Sequence, residues 1–144
     1  MAALDSMTSS PADETPTVAR NRSDSLPAVV RLVDKNGRDV VAHCEVAESA
    51  FSRMRGLLGR DGLAEGSGLF INPCPSIQTF FMRFPIDVVF LGKDKQIVGI
   101  SHDVKPWRTA HARGAYAALE LPAGTAKRHG LEIGDVFSIV PLEE

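Results

Sequence analysis

The chain has 144 residues and a formal net charge of −2 at pH 7, which suits one domain burying roughly two thirds of its unfolded surface and leaves no room for a second. The residues ahead of position 28 account for that charge, with Asp5, Asp13, Glu14 and Asp24 against Arg20 and Arg22. The rest is balanced and sets up no field that would recruit nucleic acid or an anionic membrane.

Residues 1–27 are rich in Ser, Thr, Asp and Pro and hold too little apolar surface to offset the entropy of ordering, so they are expected to form a disordered or loosely attached arm. Residues 28–144 are expected to form a single domain. No apolar run reaches the length of a membrane span, and the N-terminus has no basic-then-apolar export signal. Both features predict a cytoplasmic chain with no membrane span.

A first strand is expected over residues 28–33. Lys35-Asn36-Gly37 then signals a tight hairpin, because Asn-Gly accepts left-handed dihedrals. Residues 38–46 return as a strand with Val40, Ala42, Cys44 and Val46 on one face. From Glu48 the period changes: Ala50, Phe51, Met54, Leu57 and Leu58 recur at helical spacing and predict an amphipathic helix over about 49–58, ended by Gly59. Glycine spacing makes 60–68 a loop, and 69–71 is a short strand stopped by Asn72-Pro73-Cys74-Pro75.

Strand is expected to resume over 78–82. Residues 86–91 are almost wholly apolar and β-branched or aromatic, which predicts a central strand. A turn at 92–95 leads back through a strand at 96–101. After an irregular stretch to Gly114 come a strand at 115–121, a short helical piece at 126–129 stopped by Gly130, and a last strand at 136–140. Connections this short favour antiparallel neighbours. The predicted fold class is therefore α+β: a mixed, mainly antiparallel, strongly curved or barrel-like β-sheet with one main helix and one short helix.

The two cysteines, Cys44 and Cys74, match no zinc or redox spacing and read as small buried hydrophobes, with a disulfide between them as the alternative. No metal or cofactor is predicted. Three clusters could carry function. Asp87 opens one strand while His102 and Asp103 end its hairpin partner, so they are expected at one end of the sheet, where they could act in acid–base chemistry or hold a ligand; the plainer reading is a carboxylate accepting loop amides. Arg53, Arg55, Arg60 and Arg83 could recognise an anion, or serve structural pairing. Phe80, Phe81, Met82, Phe84 and Trp107 could line an apolar groove, although neighbours on a strand point to opposite faces and core packing is the plainer reading.

The ordered series Arg55-Gly56-Leu57-Leu58-Gly59-Arg60, Gly68-Leu69-Phe70-Ile71, Phe81-Met82-Arg83-Phe84-Pro85-Ile86-Asp87-Val88-Val89-Phe90 and Leu119-Glu120-Leu121-Pro122-Ala123-Gly124, with Gly134-Asp135, resembles the uncharacterised DUF192 family over nearly all of 40–140. The resemblance implies a small prokaryotic domain of mixed α and β structure, without an established enzymatic activity, whose relatives are often exported. Arg60, Met82, Asp87, Glu120 and Asp135 match its polar or special positions. The family's Gly-Leu-Met-Phe-Arg stretch is here Gly56-Leu57-Leu58-Gly59-Arg60, and its Met-Lys-Asn-Thr is here Met82-Arg83-Phe84-Pro85. Arg60 is expected to pair with Asp87 or Glu120, at a truncation cost of about 3–5 kcal/mol if buried, and Asp135 to cap the turn at 130–134.

The leading expectation is a non-catalytic domain that binds a small anionic or polar ligand, or a protein partner, through Arg60, Met82, Arg83, Asp87, Trp107 and Glu120. The alternatives are an acid–base hydrolase using Asp87 with His102 or Asp103, and a structural or partner-recruiting domain.

Overall fold

The structure, a computed structural model, describes residues 28–48 and 57–142. Nine strands and one short helix follow in chain order: β1 Val29–Val33, β2 Asp39–Ala47, β3 Ser67–Ile71, β4 Ser76–Gln78, β5 Ile86–Leu91, β6 Ile97–Val104, β7 Thr109–His111, β8 Ala117–Pro122, α1 Thr125–Arg128 and β9 Ser138–Pro141. Seven strands form one sheet in the order β6-β5-β8-β3-β2-β1-β9, and β4 pairs with β7 as a separate two-stranded ribbon. Among the described residues β2 and β3 run parallel and the other ladders are antiparallel.

One part of the expected fold class is corrected. The sheet is open rather than barrel-like: β6 pairs only with β5 and β9 only with β1. A single bridge from Gln96 to Val136 touches the segments leading into these edge strands without extending into a ladder. Short connections dictate antiparallel neighbours but say nothing about whether the first and last strands meet. Among the described residues α1, the expected short helix, is the one helix. The expected main helix at 49–58 lies almost wholly outside the described residues, and Leu57 to Gly59 form a turn. The arm at 1–27 likewise lies outside them.

Burial follows strand parity. On one face of β5 and β8, Val89, Leu91, Leu119 and Leu121 join Val30, Leu32, Val41 and Phe70 in a core covered by Ala126, Leu131 and Phe137. On the opposite face Ile86, Val88, Phe90 and Ala118 join Leu69 and Ile71 under Ile77, Ala110, Met82 and Leu57. Every residue of β5 is buried because both faces are covered. Yet β5 is second from an edge, and the middle strand is β3.

The clean alternation expected for β2 is broken. Register shifts against β1 bring Val41 opposite Leu32 and Cys44 opposite Val30, so Val41 is buried and Ala42 exposed. The strand expected at 78–82 also ends early: β4 stops at Gln78, and Phe81 turns the chain with a φ of 69°. The stretch read as irregular after Pro106 contains β7, which completes the ribbon with β4 over the second core face.

Candidate functional site

Register decides which polar side chains can meet. Asp87 stands opposite Leu121, whereas Val88 stands opposite Glu120. Asp87 and Glu120 therefore point to opposite faces of the sheet and cannot share one hollow.

Asp87 is 0 % exposed. On β6 two residues, His102 and Asp103, face this one position, because the ladder shifts between the Ile86–Val104 and Val88–Ser101 pairs. Asp103 takes a φ of 51° in this bulge and donates its backbone N–H to Asp87 Oδ1 at 2.9 Å. Asp87 Oδ2 accepts Gly124 N–H at 3.1 Å and Ala126 N–H at 2.9 Å. Gly124, with a φ of 94°, supplies the left-handed turn into α1. Asp87 thus ties β5 to the β6 bulge and to the start of α1 with three amide donors. The Asp103 carboxylate turns away to Lys105 Nζ at 2.6 Å, and His102 is exposed, so neither side chain joins the Asp87 carboxyl in a proton relay.

The opposite face carries a different polar row. Glu45 on β2 stands opposite Leu69 on β3, and Leu69 opposite Glu120 on β8, so the two carboxyls flank Leu69. Arg60 makes a two-pronged contact with Glu45, at 3.1 and 2.9 Å. This corrects the expected partner: Arg60 bonds neither Asp87 nor Glu120, but Glu45 on β2. The guanidinium holds the Glu45 carboxyl below its usual range, chiefly through that hydrogen bonding, and the same bond raises Arg60.

Glu120 is 4 % exposed, and its Oε1 has no hydrogen-bond partner among the described residues. Burial pushes its carboxyl up to about 7, against a smaller lowering by Arg60. It is a carboxyl poised to hold its proton near neutrality.

Beside this row, residues 79–82 and 105–108 form one face. Thr79, fully buried, zips them together. Its hydroxyl donates to Lys105 O at 2.7 Å and accepts Arg108 N–H at 2.8 Å. Its backbone N–H meets Arg108 O at 2.8 Å, and its carbonyl accepts Trp107 N–H at 3.0 Å and Met82 N–H at 3.2 Å. Sequence reasoning missed Thr79; a hydroxyl residue before two phenylalanines was the available signal.

The zipped segments turn three rings outward: Phe80 is 38 %, Phe81 70 % and Trp107 55 % exposed. Phe80 and Trp107 stack at 5.7 Å with planes inclined 27°, and Phe81 meets Trp107 at 4.7 Å and 58°. Phe81 and Trp107 have φ values of 69° and 67°, a region side chains of this size rarely adopt. Met82 packs into the second core face beneath them, with Phe84 half-buried beside it. The expected apolar cluster therefore divides, two side chains inward and three outward.

The cations scatter. Arg83 pairs with Asp61 at 2.8 Å, both well exposed, and Arg53 and Arg55 lie outside the described residues. Among the described residues Arg108 reaches the carbonyls of Pro106 and Trp107, at 3.4 and 3.3 Å. Next to it an open recess of about 420 Å³ is lined by Ser101, Asp103, Lys105, Arg108, Thr109 and His111, with Val104 and Ala110. Asp135 accepts Glu132 N–H at 2.9 Å, which closes the turn at 132–135. Cys44 is buried and Cys74 half-buried, and no disulfide joins them. No helix among the described residues is long and apolar enough to cross a membrane.

Comparison with known proteins follows the same lines. Over 111 residues, 72% of this chain and 71% of the relative, the sequence is 32% identical to a UPF0127 protein of Thermococcus sibiricus. Over 105 residues, 69% of this chain and 88% of the relative, it is 30% identical to a UPF0127 protein of Pyrococcus furiosus. A crystal structure of a Sinorhizobium meliloti protein proposed as a transcription regulator superposes with a TM-score of 0.67 at 28% identity, covering 77% of this chain and 92% of that one. A protein of unknown function from Novosphingobium aromaticivorans shares the fold, with a TM-score of 0.67 at 24% identity over 86% of this chain and 98% of that one. The model of the uncharacterized DUF192 family matches residues 31–139, and the chain belongs to that family.

Proposed function

We propose that this domain is a non-catalytic binding module whose recognition surface is the face built by residues 79–83 and 101–111. The observation behind this reading is the pair of left-handed aromatic residues, Phe81 and Trp107, held outward by a buried threonine. Each such conformation costs on the order of 1–3 kcal/mol, and each exposed ring forgoes burial worth about 2 kcal/mol. A fold that spends stability on presenting rigid rings gains by reducing the entropy a partner must overcome on docking.

In this reading Trp107 is the centre of the face, Met82 anchors it from beneath, and Arg83 and Arg108 stand at its rim. Asp87 supports it from the other side of the sheet by fixing the bulge from which 101–111 departs. Arg60, paired with Glu45, and the buried Glu120 continue the same side of the sheet as a polar row.

The test compares the wild-type protein with Phe81→Ser and Trp107→Ser as baits in lysate, with bound species identified by mass spectrometry and folding verified by thermal melting. Both variants are expected to melt like wild type and to lose the species that wild type retains. Identical retained sets from folded variants and wild type would refute the reading.

A further inference from the structure

We propose that the occupant of the aromatic face is a short, extended, proline-containing acidic peptide segment of a partner protein, its proline on the rings of Phe81 and Trp107 and one carboxylate on Arg108. This rests on the reading of that face as the recognition surface and adds the chemistry of what it recognises. Ring planes inclined by 27° and 58° around Trp107 make an angled set of apolar walls. Extended proline-rich chains dock on aromatic walls of this kind because their backbone is already ordered before binding.

The charges around the rings decide between ligand classes. Arg83 is already paired with Asp61 and Lys105 with Asp103, so the rim holds three cations and two carboxylates. A polyphosphate chain or an anionic bilayer needs a continuous cluster of cations, and here it would meet both acids. Among the described residues Arg108 has no carboxylate partner, and its guanidinium lies over the carbonyls of Pro106 and Trp107. Its backbone is held by Thr79. One pre-positioned guanidinium beside an apolar wall suits one carboxylate beside an apolar residue. Arg108 also lines the recess with Ser101, Asp103, Lys105 and His111, and this leaves room beyond the guanidinium for the peptide to run on.

Trp107 is the chain's single tryptophan, so its emission reports the proposed contact directly. The full chain is titrated with four probes: a synthetic peptide alternating proline with aspartate, the same peptide with lysine for aspartate, oligothymidylate, and phosphatidylglycerol vesicles. The acidic peptide is expected to shift Trp107 emission to the blue with saturation. Arg108→Gln and Phe81→Ser should each weaken it roughly tenfold, while the lysine peptide leaves emission unchanged.

Equal binding of the lysine peptide overturns the carboxylate assignment. Saturation by oligothymidylate or vesicles alone overturns the peptide and leaves the face as a recognition surface for another class. If Asp13→Lys with Glu14→Lys in the full chain shifts Trp107 emission with nothing added, the occupant is this chain's own N-terminal segment, and the partner reading fails. No response to any probe, together with unchanged retention by Phe81→Ser in lysate, removes both this inference and the reading it rests on.

Discussion

Replacing Glu120 with glutamine should remove a pH dependence that the wild-type fold carries. The folded carboxyl lies at about 7 against an ordinary value of 4.5, because burial disfavours the anion. The native state therefore keeps a proton that the unfolded chain releases. Stability is full below the unfolded value, falls as pH rises between the two values, and levels off above the folded one. Integrated over that interval the loss is about 3 kcal/mol, of which about 2–3 kcal/mol falls between roughly pH 5 and pH 8. Glu45 has the opposite sign, since its lowered carboxyl withdraws stability only as pH falls through the acidic range. Glu120→Gln keeps the size and lacks the charge, so its stability should stay nearly flat over the same interval. Urea unfolding followed by far-ultraviolet circular dichroism at both pH values measures the difference. Parallel slopes for wild type and variant, or a wild-type stability that rises with pH, would refute the assignment of a buried protonated carboxyl.

Asp87→Ala should destabilise the fold by about 3–6 kcal/mol, read by urea unfolding, because three amide donors lose a charged acceptor inside the protein; a change below about 1 kcal/mol would contradict the staple role. Arg60→Ala should cost about 1 kcal/mol or less in the same assay, since its pair with Glu45 has side chains 36% and 42% exposed. That is well under the cost expected for a buried pair. Cys44 is buried and its thiol is pushed up to about 12 by desolvation, so a native-state thiol-alkylation time course should modify Cys74 first and Cys44 only on unfolding. Thr79→Val should lower stability by about 1–3 kcal/mol and shift Trp107 emission in the absence of ligand, as the segments it joins separate.

Local chemistry was legible from the residues alone. The apolar run of β5, the Asn36-Gly37 hairpin, the turn after Leu91 and the Gly130 stop after α1 each depend on dihedral preferences or burial within a few positions. The capping role of Asp135 was equally local. The resemblance to the family, confirmed over 31–139, came from an ordered series of such local features. The partner of Arg60 was not legible, because Glu45 lies on a strand that reaches it only through the parallel pairing of β2 with β3. Nor was the outward turn of Phe80 and Phe81, since consecutive phenylalanines before a proline fit a core strand as well as a strained turn.

By itself, then, the sequence determined most strands of the main sheet, several of their turns, and that the Asp87 carboxylate needed hydrogen bonds, a paired charge or solvent. Tertiary structure alone decided that the sheet stays open, that β3 rather than β5 lies at its middle, and that Asp87 and Glu120 face opposite cores. The physical reason is register: a shift of one residue between strands reverses every side chain's face, and register is set by contacts between residues far apart in the chain.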